Sequence, residues 1–236
     1  MNVQSTSFVI PAPLQPSVAV ADSTQRFPVR RIFCVGRNYA AHAREMGKDP
    51  DREPPFFFTK PADAVVDHGA TVPYPPETEN LHYEIELVVA IGTGGRDIAE
   101  ADVPNHLWGA TVGIDLTRRD LQLAARDKGR PWDWGKAFDH SAPIAPLLPM
   151  SNVSSLTEGR IWLAVNGETK QDADINELIW SVNEHVSILS RSMELAPGDI
   201  VMTGTPAGVG PVVPGDTITG AVDGLADITI TIGARS

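Results

Sequence analysis

Three stretches of this sequence predict an α+β protein built mainly of strands. Residues 80–92, Asn-Leu-His-Tyr-Glu-Ile-Glu-Leu-Val-Val-Ala-Ile-Gly, put apolar side chains on one register and His82, Glu84 and Glu86 on the other, the period-two pattern of a strand. Residues 161–171 read as a β-hairpin closed by Asn166-Gly167, a pair that accepts the positive φ of a tight turn. A single stretch reads convincingly as a long helix: Ser181 and Glu184 have capping-box spacing, and Val182, Val186, Leu189 and Met193 recur at helical period.

With 236 residues the chain can bury one sizeable core. Residues 1–26, rich in Pro, Ala, Val, Ser and Gln, read as a loosely ordered N-terminal extension, and 27–236 as a single domain. A formal charge of -11 argues against nucleic acid or an anionic membrane as a partner, because both need a positive field. There is no run of apolar residues long enough for a membrane span and no basic leader with an apolar core, so neither insertion nor secretion is expected. Cys34 is the only cysteine, which excludes an internal disulfide and fits a reducing, cytoplasmic setting.

Taken in order, residues 31–35 form a strand ending at Gly36, and 40–46 a helix stopped by Gly47. On that helix His42 and Glu45 are neighbours. They are either an exposed polar pair or a carboxylate holding an imidazole in the tautomer a general base needs. Residues 48–55 form a charged, proline-bounded loop of the kind that orders over a ligand. Residues 56–60 read as a buried strand ending on Lys60, and 67–80 as a turn-rich approach to the Glu84/Glu86 strand.

Glu84 and Glu86 allow two readings. They are the wet face of an amphipathic strand, or they share a cation: alternate residues of a strand stand about 6.6 Å apart at their Cα atoms, within reach of one ion. Oxygen-only ligands suit a hard ion such as Mg²⁺, Mn²⁺ or Ca²⁺. The cation reading calls for a third carboxylate, and Asp115, at the end of a strand over 108–116, supplies it. Thr117 is placed to cap the helix that follows, on which Arg119 and Gln122 share a face. Lys136 follows a Trp-Gly pair, without the upstream glycine spacing of a nucleotide-binding loop. Residues 199–203 form a strand, the glycine-rich 204–211 lack the Lys-Ser/Thr of a phosphate cradle, and short strands over 216–232 close the chain.

Several motifs occur together: Gly36-Arg-Asn-Tyr-Ala-Ala-His42, Phe57-Phe-Thr-Lys-Pro61, Asn80-Leu-His-Tyr-Glu-Ile-Glu-Leu87, Gly113-Ile-Asp-Leu-Thr117, Arg119-Asp-Leu-Gln122, Gly135-Lys-Ala-Phe-Asp139, Val165-Asn-Gly167 and Gly198-Asp-Ile-Val-Met-Thr-Gly-Thr-Pro206. In this order, from about residue 30 to the end, they resemble the fumarylacetoacetate hydrolase family, and within it the smaller acylpyruvate and fumarylpyruvate hydrolases.

The resemblance implies a mixed β-sandwich roll with a few flanking helices, a homodimer, and one Mg²⁺ or Mn²⁺ per subunit held by Glu84, Glu86 and Asp115. It implies a water-activating dyad of His42 and Glu45, with Gln122 and Lys136 polarising the reacting oxygen. Arg37, Lys60, Arg119 and Thr205 would contact a small anionic 2,4-dioxo acid. The implied reaction is hydrolysis of a carbon–carbon bond in an acylpyruvate, with fumarylpyruvate giving fumarate and pyruvate in aromatic catabolism. Oxaloacetate decarboxylation or isomerisation of a 2-oxo diacid uses related chemistry, and a non-catalytic metal-stabilised binding module is the alternative from another class. The dyad favours hydrolysis.

Overall fold

The computed structural model describes residues 7–41 and 53–235. Its centre is an eight-stranded mixed sheet in which Phe56–Lys60, Arg31–Gly36, Asp199–Met202, Ile85–Ile91, Leu107–Ile114, Ala142–Ile144 and Val65–Asp67 lie side by side in that order, with Leu148–Pro149 pairing to Leu107–Ile114. A five-stranded sheet faces it, ordered Glu168–Asp174, Arg160–Val165, Thr217–Val222, Ile228–Arg235, Thr71–Tyr74. A three-stranded sheet of Thr117–Arg118, Leu81–Tyr83 and Gly210–Val212 joins the two at one end. The result is the expected strand-dominated roll. Among the described residues no helix is long and apolar enough to cross a membrane.

The strand Ile85–Ile91 is buried along its whole length, so the half-buried amphipathic strand expected there is corrected. It lies between Asp199–Met202 and Leu107–Ile114, and both its faces are covered. Ile85, Leu87, Val89 and Ile91 point into the main core shared with the five-stranded sheet. Val88 and Ala90 enter a second apolar cluster with Ile32, Cys34, Ile200 and Met202. Glu84 and Glu86 share the register of that second face, and at 4% and 2% exposed they have no wet side.

What covers the second face is the N-terminal segment, which is only in part the loose extension its composition suggests. Ser17–Ala19 pairs with Arg26–Pro28, Ala21 N–H donates to Leu147 O at 2.9 Å, and Val18, Phe27 and Val29 are buried in the second cluster. Apolar area removed from water at about 25 cal/mol per Å² holds the ribbon in place.

At the sheet edge the expectation for 56–60 is reversed. Phe56, Phe57 and Phe58 stay half-exposed, while Lys60 is 2% exposed. The aromatic side chains border a cavity and the lysine is drawn inward by carbonyls and a carboxylate. The helix Arg119–Asp127 forms, but not with Thr117 as its cap. Thr117 belongs to the strand Thr117–Arg118, and its hydroxyl donates to Asp115 O at 3.1 Å. The helix Val182–Ser192 carries the expected capping box from Ser181 and Glu184.

Candidate metal centre and active site

At Glu84 the chain passes from the three-stranded sheet, which holds Leu81–Tyr83, to the eight-stranded sheet, which holds Ile85–Ile91. Asp115 lies one residue beyond Leu107–Ile114, and its N–H donates to Glu84 O at 2.8 Å, which locks the two strand ends together. Glu84, Glu86 and Asp115, all buried, each offer an oxygen within 4.8 Å of the other two. Burial, then the charges of Asp115 and Glu84, push the Glu86 carboxyl well above the usual carboxylate range, against the opposing Gly204 N–H and Lys136. Asp115 Oδ1 is buried and accepts no hydrogen bond, although Lys60 Nζ stands 2.8 Å away. That ammonium aims its donors at Leu116 O (3.0 Å) and Lys136 O (2.5 Å). Three converging buried carboxylates fit a hard divalent cation, which removes their mutual repulsion and needs only oxygen ligands.

Cations of the chain surround this set. Lys136 Nζ donates to Glu84 Oε2 at 2.7 Å, Asp115 Oδ2 at 2.6 Å and Thr117 Oγ1 at 2.7 Å, which uses all its donors. Burial alone would lower the Lys136 pKa, but Asp115 and Glu84 more than offset it and the net shift is upward. Arg119 Nη2 donates to Glu84 Oε1, and Arg119 Nη1 to Gln122 Oε1 at 2.5 Å. The shared face of Arg119 and Gln122 therefore forms as the sequence predicts. Gly135 brings the short helix Asp133–Lys136 against it, since a Cβ there would stand 2.8 Å from the Gln122 backbone.

A pocket opens over the carboxylates, lined in addition by Arg37, Arg119, Gln122, Trp132, Lys136 and Thr205. Arg37 adopts φ 57°, a left-handed conformation that an L side chain rarely holds, and its guanidinium stacks over Phe56 at 5.3 Å and Trp132 at 5.9 Å. Burial, then nearby Arg126, lowers the Arg37 pKa. Lys60 does not line this pocket. Its ammonium, expected to contact substrate, instead faces Leu116 O, Lys136 O and Asp115 Oδ1 in this structure. His42 and Glu45 lie outside the described residues.

Other residues here escape sequence reasoning. Gly204 N–H donates to Glu86 Oε2 at 2.7 Å, and only glycine suits the position, with φ 103° and Asn38 Cβ 2.6 Å from any added Cβ. Gln171, fully buried, accepts from Ile85 N–H at 3.0 Å and donates to Thr205 Oγ1 and Pro206 O, both at 2.8 Å. His82 accepts from Arg119 Nε at 3.4 Å; burial, then the Arg119 charge, lowers its pKa to about 4, so it sits as a neutral acceptor. The Asn80-x-His82 spacing next to the acidic pair was the available signal for His82. Nothing local marks Gln171.

Comparison with known proteins gives the same picture. A fumarylpyruvate hydrolase of Ralstonia sp is 48% identical over 190 residues, 80% of this chain and 98% of the relative. The crystal structure of fumarylpyruvate hydrolase from Pseudomonas aeruginosa in complex with Mn²⁺ and pyruvate superposes with a TM-score of 0.94 at 54% identity, covering 97% of this chain and all of that one. An oxaloacetate tautomerase of Arabidopsis thaliana, the mitochondrial FAHD1, is 38% identical over 205 residues, 87% of this chain and 92% of the relative. Residues 31–233 match the fumarylacetoacetate (FAA) hydrolase C-terminal domain, and with these likenesses the chain belongs to the fumarylacetoacetate hydrolase family.

Proposed function

We propose that this protein is a divalent-metal-dependent hydrolase that cleaves the carbon–carbon bond of an acylpyruvate, with fumarylpyruvate giving fumarate and pyruvate. The observation that carries this reading is the buried Glu84–Glu86–Asp115 set at the floor of a pocket rimmed by Arg37, Arg119, Gln122 and Thr205. The fumarylpyruvate hydrolases similar to the chain, one solved with Mn²⁺ and pyruvate, support it. When bound at the three carboxylates, Mg²⁺ or Mn²⁺ supplies Lewis-acid polarisation of a 2-oxo acid.

The chain's own residues divide the remaining work. Arg119, fixed by Glu84, Gln122 and His82, and Arg37, stacked on two aromatic rings, pair with the substrate's carboxylate end. The carbonyl oxygen of Gln122 faces Arg119, so its NH₂ is the donor for the oxyanion that develops on the distal carbonyl. Lys136 can join it only by giving up one of its three present bonds. His42, with Glu45 as the proposed dyad partner, takes a proton from water as the water oxygen bonds to the distal carbonyl carbon. The bond from that carbon to the methylene then breaks. Its electron pair leaves with the pyruvate fragment as an enolate, which regains a proton to become pyruvate, and the acyl half departs as fumarate.

The test is incubation with Mg²⁺ or Mn²⁺ and fumarylpyruvate, with fumarate and pyruvate both measured and oxaloacetate run in parallel. Equal release of the two acids is expected. Failure to turn over any acylpyruvate rejects the reading, and oxaloacetate loss that survives His42→Ala points to decarboxylation instead. A homodimer, a cytoplasmic location and a place in the breakdown of aromatic compounds go with this reading; light scattering checks the first.

A further inference from the structure

We infer that the aromatic trough beside the metal pocket is the acyl-group subsite, and that Trp132 and Arg130 make it select a flat, conjugated acyl chain ending in a carboxylate. This rests on the acylpyruvate hydrolase reading. The trough has a volume of about 380 Å³, ordinary for a small-molecule site. It shares Phe58, Trp132 and Lys136 with the pocket over the carboxylates, so a ligand anchored there by its 2-oxo acid end extends into it.

The shape of the trough is set by rings that hold one another. Trp132 stands edge-on to Phe56, with centroids 5.2 Å apart and planes at 88°, and tilted to Phe58 at 5.8 Å. Such a slot favours a planar chain, which presents a flat face to the indole, over a tetrahedral or branched one. It also accounts for half-exposed phenylalanines on the edge strand Phe56–Lys60, which packing alone would bury.

The charges of the trough orient the ligand. Arg130 lines it, exposed, with its guanidinium in no hydrogen bond or ion pair among the described residues, while its own N–H is fixed to Ala125 O at 2.8 Å. Neighbouring Arg126 differs in being paired with Asp127 at 2.9 Å. Lys136 has no donor left, and Arg37 lines the inner pocket and not the trough. Asp133 is the carboxylate on the trough wall and repels an anion there, so a second carboxylate is directed to Arg130. The acyl group of fumarylpyruvate is a planar enone that ends in a carboxylate; the acetyl group of acetylpyruvate has neither feature.

The experiment compares kcat/KM for fumarylpyruvate and acetylpyruvate in the metal-loaded wild type, Arg130→Gln and Trp132→Leu. The ratio of the two values should fall about tenfold in each variant, as expected when one charge-assisted or stacking contact is lost, and in Arg130→Gln the change should lie in KM. Arg130 is exposed, so that variant decides the matter even where Trp132→Leu fails to fold. A ratio that stays within about twofold of wild type in Arg130→Gln overturns the subsite while leaving the hydrolase reading intact. A wild type that turns over neither compound overturns both.

Discussion

Gln171 Nε2 donates to Thr205 Oγ1 at 2.8 Å from a side chain that is itself wholly buried. The amide cannot be turned round. Ile85 N–H only donates, so the Gln171 oxygen must face it, and the NH₂ is left for Thr205 Oγ1 and Pro206 O. A hydroxyl that accepts from Gln171 keeps its own hydrogen for another acceptor, and Thr205 lines the pocket over the carboxylates. Gln171 thus ties the five-stranded sheet, the metal-site strand and the 204–206 loop into one unit.

Replacing Gln171 with Glu tests this. The new carboxylate still accepts from Ile85 N–H but now also accepts from Thr205, which turns the hydroxyl hydrogen away from the pocket. The expected outcome is a fall in kcat/KM of about tenfold with metal affinity unchanged. A Thr205→Ala variant should show a similar loss, and the double variant should add little to either single one. Additive losses would mean that the two residues act independently.

The metal site was legible in the sequence for a physical reason: two carboxylates in an apolar strand need something to offset their repulsion, and period-two spacing puts them on one side. That Arg119 and Gln122 share a face was legible from helical spacing, whereas their place in the site came from the family resemblance. Lys60 was not, because a strand pattern does not say which side of an edge strand finds acceptors, and here Leu116 O and Lys136 O lie far along the chain. Gln171 sits 86 residues from Ile85 in another sheet, so only the folded chain brings them together. The helix Asp133–Lys136, too short to show a period, hid the trough wall at Trp132. The burial of Val18 and Phe27 was masked by the proline-rich residues around them.

Asp115 is the carboxylate whose loss should be felt twice. Lys60 Nζ and Lys136 Nζ lie 2.8 Å and 2.6 Å from its oxygens, all of these groups buried. Asp115→Asn removes the charge with little change in shape, leaving two ammonium groups under-compensated. Urea unfolding of the metal-free protein should show a loss on the order of 3–5 kcal/mol, the cost of breaking a buried ion pair from one side. Calorimetric titration with Mn²⁺ should show affinity weakened at least about 100-fold, beyond what an outer-shell partner typically contributes. Mn²⁺ binding as tight as that of the wild type would remove Asp115 from the ligand set.

His185 gives the fold an acid limit that is separate from the metal site. Its Nδ1–H donates to Trp180 O at 3.3 Å, and Nε2 is buried with no hydrogen-bond partner among the described residues. Burial lowers its pKa to about 4, despite the opposing Trp180 and Ser181 backbone groups and Glu184. Above pH 6.5 neither folded nor unfolded His185 binds this proton, and its contribution to stability is fully present. Between pH 6.5 and 4 the unfolded chain takes up the proton and the folded one does not, so stability falls by about 1.4 kcal/mol per pH unit. Below pH 4 both states are protonated and the decline from this group stops. Across the window the loss is on the order of 3 kcal/mol. His185→Leu removes the titration: subtracting its urea-derived stability from that of the wild type at a series of pH values should give a difference that slopes between pH 6.5 and 4 and is flat above. A flat difference throughout would mean that the folded protein accommodates the charged imidazole.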